Sequence, residues 1–199
     1  MNFLAHIYLS GENELIKIGN FVADSVRGKQ YLDYPLDIQK GIKLHREIDS
    51  YTDQHLLWRQ TKKPLVPRYN HYSAVLVDMY YDHFLAKYWS TYSTVSLEDY
   101  AATFYESLER NYEILPSKVQ QFLPILLKEN WLVLYQDIEG LKYILTKMDG
   151  RTKGVSKMSF GTEELLVHYD EFLQNFEAFF EELQLHLKNF VHSNNSLSL

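Results

Sequence analysis

The sequence predicts an all-α protein built as a single compact domain of about seven helices, covering residues 1–192. Glycine and proline are scarce among the 199 residues, with eight and five copies, which favours long regular elements over turns. Apolar residues recur at the three-to-four-residue spacing of amphipathic helices, and the alternation typical of a strand is missing. A chain of this length can bury a substantial core as one domain, whereas two domains would each be small.

The individual helices follow from apolar stripes and end signals. In chain order they are predicted over residues 2–9 (a short apolar element), 12–27, 35–55, 69–89, 96–115, 137–148 and 162–191. Gly28 suits the end of the second, and Ser96 opens a sequence that resembles a capping box. Pro124 is expected to start a new helix, because proline is favoured in a first turn. Residues 149–161 are the clearest long loop, and residues 193–199 are expected to form a disordered tail.

Charge and composition narrow the class of protein. The net charge of −6 argues against nucleic-acid binding, which depends on neutralising phosphates. No run approaches the roughly 20 apolar residues of a membrane span, and the first residues lack a signal peptide's basic region, so no membrane partner is expected. The absence of cysteine excludes disulfides and thiolate sites, and it suits a cytoplasmic protein. The sequence leaves the oligomeric state open.

Two of the predicted helices carry acids and histidines where the spacing calls for apolar core residues. These residues are His45 and Asp49 in the segment 35–55, and Asp78, Asp82 and His83 in the segment 69–89. Burying an unpaired carboxylate costs several kcal/mol, so such a group implies a metal, a basic partner or protonation. A divalent metal site is the leading hypothesis. The alternative is a non-enzymatic helical interaction module whose buried acids pair with arginines.

The ligand types favour particular metals and a particular reaction. Carboxylates with neutral imidazoles suit Mn²⁺, Fe²⁺, Mg²⁺ or Zn²⁺, and the excess of aspartates over histidines favours manganese or magnesium over zinc. Such ions lower the pKa of bound water and hold phosphoryl oxygens, so phosphoester hydrolysis fits best. Arg27 and Arg46 lie near Asp24 and His45 in the sequence, which makes them candidates for binding those oxygens. The phosphate-loop, dinucleotide-binding, HExxH and GxSxG motifs are absent.

Five segments carry a resemblance to a known family, in the same order over nearly the whole chain. They are NFLAH (2–6), GNFVADSVRG (19–28), GIKLHREIDSYTD (41–53), VDMYYDHFLAKYW (77–89) and NWLVLYQD (130–137). In these segments the chain resembles the acyl carrier protein phosphodiesterases, a family related to the HD-domain phosphohydrolases. The resemblance implies an HD-domain-like helical bundle and a divalent cation such as manganese. It also implies removal of 4′-phosphopantetheine from the serine of holo-acyl carrier protein.

The resemblance further suggests roles for individual residues. The metal ligands are expected among His6, Asp24, His45, Asp49, Asp78 and Asp82. His83 would donate a proton to the leaving serine oxygen, and Arg27 or Arg46 would hold the phosphate. Carrier proteins of the bacterial type are small and acidic, so the basic residues between positions 27 and 68 would receive one. The alternative within the class is an HD-like phosphohydrolase acting on a nucleotide or another small phosphoester.

Overall fold

The computed structural model describes residues 2–193, over which it is helical and contains no strand, as the all-α prediction requires. Its α-helices are α1 (Phe3–Tyr8), α2 (Glu14–Val22), α3 (Leu36–Gln54), α4 (Leu56–Lys62), α5 (Val66–Tyr69), α6 (Tyr72–Lys87), α7 (Trp89–Tyr92), α8 (Leu97–Arg110), α9 (Ser117–Glu129), α10 (Trp131–Leu134), α11 (Ile138–Arg151), α12 (Gly161–Val167) and α13 (Tyr169–Ser193). They outnumber the seven predicted because several segments break into short pieces. The expected disordered tail lies, apart from Ser193, outside the described residues.

The helices that carry most of the predicted site residues form where the helical spacing indicated. Both α3 and α6 lie within their predicted segments, 35–55 and 69–89. The start of α8 is also confirmed, because the Ser96 side chain accepts a hydrogen bond from the Asp99 backbone N–H at 3.0 Å. Local sequence signals were therefore sufficient for these elements.

Four expected boundaries are wrong. Helix α8 ends at Arg110 instead of residue 115, because Tyr112–Ile114 form a 3-10 turn. The second helix ends at Val22 instead of Arg27, because residues Ala23–Ser25 tighten into a 3-10 turn and the chain then becomes extended. Pro124 does not start a helix but lies inside α9 at an exposed position, where only one backbone hydrogen bond is lost. The predicted helix over residues 162–191 is divided at His168 into α12 and α13.

The predicted loop 149–161 is shorter than expected. Helix α11 continues into it, and Met158–Phe160 form a 3-10 turn at its other end. Asp149 closes the remaining turn by accepting hydroxyl hydrogen bonds from Ser156 and Ser159, each at 2.6 Å. The loop is thus an ordered connection held by one carboxylate.

Aromatic side chains fill much of the core between α6 and α13. The fully buried rings are Tyr80, Tyr81 and Phe84 on α6, and Phe172, Phe176, Phe179 and Phe180 on α13. Burial of such rings is the main stabilising contribution of this layer. Within residues 2–193 no helix has both the length and the apolar character that a membrane crossing requires.

Helices α2 and α3 cross at two glycines. A Cβ atom on Gly19 would collide with the carbonyl oxygen of Ile38, and one on Gly41 would collide with that of Ile16. The backbones can approach this closely only because neither glycine carries a side chain. This crossing sets the distance between the polar residues that the two helices present to each other.

Candidate metal centre

Helices α1 and α3 bring two histidines and one aspartate together. His6 lies near the end of α1, while His45 and Asp49 lie one turn apart on α3. The Nε2 atom of His6 is 3.3 Å from Asp49 Oδ1, and that of His45 is 3.0 Å from Asp49 Oδ2. One ligand atom from each residue can be chosen so that all three lie within 4.8 Å of one another. These are dimensions at which one metal ion can be shared.

Asp24 adds a second carboxylate on the solvent side. It belongs to the 3-10 turn Ala23–Ser25 that follows α2, and its Oδ1 lies 3.3 Å from His45 Nε2. Its side chain is 78% exposed, whereas that of His45 is 9% exposed. The early end of α2 is therefore what allows Asp24 to face the histidine.

Asn20 fixes the orientation of both imidazole rings. Its Nδ2 donates to the His6 carbonyl oxygen and to Ser10 Oγ, each at 2.8 Å, which identifies the amide nitrogen. Its Oδ1 accordingly faces Nδ1 of His6 at 2.8 Å and Nδ1 of His45 at 3.1 Å. A carbonyl oxygen only accepts hydrogen bonds, so both Nδ1 atoms carry hydrogens and both Nε2 atoms face the carboxylates.

The two Nε2 atoms fit a cation better than they fit a hydrogen-bond network. Both are buried, and among the described residues neither has a well-directed hydrogen-bond partner, although the Asp49 oxygens are close. The rings of His6 and His45 stack with centroids 4.1 Å apart, and both Nε2 atoms approach the Asp49 carboxylate. Two imidazole nitrogens that converge on carboxylate oxygens are the donor set of a divalent metal.

The charges of the cluster are tightly coupled. Burial raises the pKa of the Asp49 carboxyl, but its contacts with His45 and His6 outweigh burial and hold that pKa well below its usual range. Burial lowers the pKa of His6, so this ring is neutral at neutral pH. Burial also opposes protonation of His45, yet contacts with Asp24 and Asp49 raise its pKa to about 9. A bound cation would take the place of that proton between the carboxylates.

A small cavity of about 220 Å³ opens beside the cluster. Its lining residues are Asp24, His45, Asp49, Thr52, Asp53 and Asp78. The Asp78 carboxylate is oriented by the indole N–H of Trp58, which donates to Oδ1 at 3.0 Å. Four carboxylates thus surround one opening, and α6 contributes one of them.

Asp82 and His83 lie away from the other predicted residues. The Asp82 carboxylate accepts backbone N–H bonds at the start of α1, from Leu4 at 2.7 Å and from Asn2 and Ala5 at 3.3 Å. Burial raises the pKa of Asp82 to about 7, against the opposing effect of these donors. The structure therefore brings Asp82 to the opposite end of α1 from His6, where the helix N-terminus accounts for its burial.

His83 faces the other side of α6. Its Nδ1 donates to the backbone carbonyl of Tyr135 at 2.7 Å, and the ring contacts Tyr169 edge-on. Burial lowers the pKa of His83 to about 4. Lys87 and Asp137 also act on the charge of this imidazole, and the cluster carboxylates are not among the groups that contact it or shift its pKa.

The two predicted phosphate-binding arginines are on the surface near the cluster. The guanidinium of Arg46 donates to the Gly28 carbonyl at 2.9 Å and lies 5.0 Å from the centre of the Tyr31 ring. Arg27 is exposed, and within the described part of the chain its side chain forms no ion pair. Of these two arginines, Arg27 is the one whose side chain has no hydrogen bond or ring contact within the described residues, so it can turn toward a bound anion.

Two residues of the site did not stand out in the sequence. Asn20 is fully buried in the α2 face that meets α3, where an amide requires partners. The sequence signal that could have identified Asn20 was an asparagine inside an otherwise apolar helix face. Asp53 lies one turn beyond Asp49, but its exposed position gives no comparable signal.

Sequence comparison identifies the relatives of this chain. The acyl carrier protein phosphodiesterase family matches residues 1–183. A relative of that name from Escherichia coli is 32% identical over 187 residues, which cover 92% of this chain and 95% of the relative. One from Photorhabdus laumondii is 31% identical over 184 residues, covering 90% and 91% respectively. No solved structure matches significantly. The resemblance seen in the sequence is confirmed, and the chain belongs to the acyl carrier protein phosphodiesterase family.

Proposed function

We propose that this protein hydrolyses the phosphodiester bond between 4′-phosphopantetheine and the serine of holo-acyl carrier protein. Membership of a family of phosphodiesterases supports an enzyme and argues against a helical module without activity. The carrier protein is the substrate named in the relatives that match over most of the chain. The products would be phosphopantetheine and the apo-carrier protein.

The observation that carries the proposal is the pair of histidines held by Asn20. The two Nε2 atoms are presented with the oxygens of Asp49 and Asp24, and this donor set fits a divalent cation. We assign His6, His45, Asp49 and Asp24 as the ligands, with Mn²⁺ as the expected metal and Mg²⁺ or Fe²⁺ as alternatives. Asp82 and His83 have no part in this assignment.

Asp78 in the cavity and Arg27 beside the Asp24 turn would act on water and substrate. A divalent cation supplies activation of water and neutralisation of phosphoryl charge when it is bound. The Asp78 carboxylate, held by Trp58, faces the cavity and would accept a proton from the attacking water. Arg27 follows the Asp24 turn and is free to bind a phosphoryl oxygen.

The decisive experiment follows conversion of holo- to apo-acyl carrier protein by intact mass, with Mn²⁺ and with a chelator. Wild type should release phosphopantetheine only with metal. Asp49→Asn should lose at least ~100-fold in rate, because a ligand is removed while the side-chain shape is kept. The control is Asp170→Asn, which changes an exposed acid on α13 in the same way and should retain full activity.

Two results would contradict the proposal. Absence of release by folded, metal-loaded wild type would exclude the carrier-protein substrate and favour a small phosphoester, which a panel of nucleotides and phosphodiesters would then identify. Full activity of Asp49→Asn would exclude the proposed metal centre even if the substrate is correct.

A further inference from the structure

The segment that links two proposed metal ligands is rich in positive charge. Residues 25–46 run from directly after Asp24, through an exposed loop, to directly after His45 on α3. They include five lysine or arginine residues and two aspartates, in a chain whose net charge is −6. Because both ends of the segment belong to the site, any protein that inserts a group into the cavity must pass beside this charge.

Most of this charge is unpaired. Lys40 forms an ion pair with Asp37 at 2.8 Å, whereas within residues 2–193 the other cations of the segment form none. By contrast Arg68, which the sequence placed in the same basic stretch, is paired with Glu163 and Glu164 at 3.3 and 2.8 Å. The segment beside the site therefore keeps most of its positive charge available, whereas the charge of Arg68 is neutralised.

The loop is held in place against α3. Lys43 and Arg46 both lie over the Tyr31 ring, at 5.7 and 5.0 Å from its centre. The Gln39 side chain donates to the backbone carbonyls of Leu32 and Tyr34, at 3.3 and 2.7 Å. A loop fixed at several points offers a preformed surface, which lowers the entropic cost of binding.

Two leucines of this segment are exposed. Leu32 is 54% exposed in the loop, and Leu36 is 76% exposed at the first position of α3. Large apolar side chains with a charged rim are the usual composition of a protein interface. A small ligand entering the cavity would have no need of either leucine.

We propose that the acyl carrier protein docks on this surface, through an acidic face that surrounds a small apolar contact. The surface, called here the basic loop face, consists of Arg27, Lys29, Leu32, Leu36, Lys43 and Arg46. The inference rests on the proposed function, since docking there would deliver the phosphodiester to the neighbouring cavity. Unpaired cations on an acidic protein select a partner of opposite charge and speed its association.

The test reverses two charges that have no part in the proposed chemistry. Lys29→Glu/Lys43→Glu should raise the KM for holo-carrier protein about tenfold and weaken the salt dependence, with kcat unchanged. Hydrolysis of a small phosphodiester, bis(4-nitrophenyl) phosphate, should be unaffected. The control Lys118→Glu/Lys142→Glu makes the same change in net charge at exposed positions on α9 and α11, and it should behave as wild type.

Binding of the apo-carrier protein separates this inference from the proposed function. The apo form has no phosphodiester, so its dissociation constant reports docking alone, and Lys29→Glu/Lys43→Glu should weaken it about tenfold. In one outcome, wild type binds the apo form but hydrolyses no holo-carrier protein. If Lys29→Glu/Lys43→Glu then lost apo binding, the docking surface would be supported and the proposed reaction rejected. The docking surface would be overturned if this variant and Leu32→Ser/Leu36→Ser both kept wild-type binding of the apo form and wild-type KM. Circular dichroism would verify that both variants are folded.

Discussion

At the scale of single residues, Asn20 affects the geometry of the proposed metal centre most among the residues that are not ligands themselves. One amide oxygen accepts from both Nδ1 atoms, and the amide nitrogen is anchored on the His6 carbonyl and Ser10. Groups of this kind hold metal-binding histidines in one tautomer and one orientation. Asn20 is therefore a positioning residue for His6 and His45 together.

Asn20→Ala is expected to weaken Mn²⁺ binding by ~10–100-fold, because both rings lose their common acceptor. Calorimetric titration of the metal-free protein measures this directly, without reference to activity. Asn20→Asp keeps an acceptor and should lose less. Ser10→Ala, which removes only one bond to Asn20, serves as the control. An unchanged affinity in Asn20→Ala would show that the rings are oriented by packing alone.

His83 provides a pH prediction, because burial lowers its pKa to about 4 while the unfolded chain has a value near 6.5. Above pH 6.5 the imidazole is neutral in both states and stability is complete. Between pH 6.5 and 4 only the unfolded chain binds the proton, so the free energy of unfolding should fall by up to about 3 kcal/mol. Urea unfolding across this range should show a smaller fall for His83→Gln, and identical slopes would refute the assignment.

At the scale of elements, the crossing of α2 and α3 determines whether the site can assemble. Gly41→Ala would place a methyl group against the Ile16 carbonyl of α2. The helices must then separate, and we expect a loss of about 2–3 kcal/mol in the free energy of unfolding together with weaker Mn²⁺ binding. Gly150→Ala on α11 is the matched control, because its methyl group would meet open space. Wild-type metal affinity in Gly41→Ala would mean that the crossing does not set the ligand spacing.

The elements also explain how far the sequence could predict the site. Helical spacing correctly placed His45 and Asp49 one turn apart on the same face of α3, because that pattern depends on a single helix. Asp78 and Asp82 occupy successive turns of α6 in the same way, yet one borders the cavity beside Trp58 and the other caps α1. The difference comes from the neighbour that covers each turn, which is tertiary information that the spacing of one helix does not contain.

The same limit applies to Asn20 and Asp24. Asn20 acts through two histidines on other helices, so its role appears only when three helices are assembled. Asp24 was predicted on a helix, but it faces His45 because the helix ends before it. The family motif located both segments correctly, while the physical roles within them depended on the fold.

At the scale of the whole molecule, the proposed ligands all come from the first quarter of the chain, between His6 and Asp49. The later helices provide the support, since Asp82 on α6 holds the start of α1 and the α13 aromatic rings pack beneath α6. A bound cation would join α1, the turn after α2, and α3. It should therefore stabilise the folded chain as well as activate the substrate.

Metal removal is accordingly expected to lower the thermal midpoint. With Mn²⁺ at about 100 times its dissociation constant, binding contributes ~2.7 kcal/mol, which corresponds to ~5–10 °C in Tm for a domain of this size. Differential scanning calorimetry with Mn²⁺ and with a chelator measures the shift. Asp49→Asn should show almost none, because it lacks the carboxylate that both histidines face. An equal Mn²⁺-dependent shift in wild type and Asp49→Asn would locate the bound metal elsewhere on the protein.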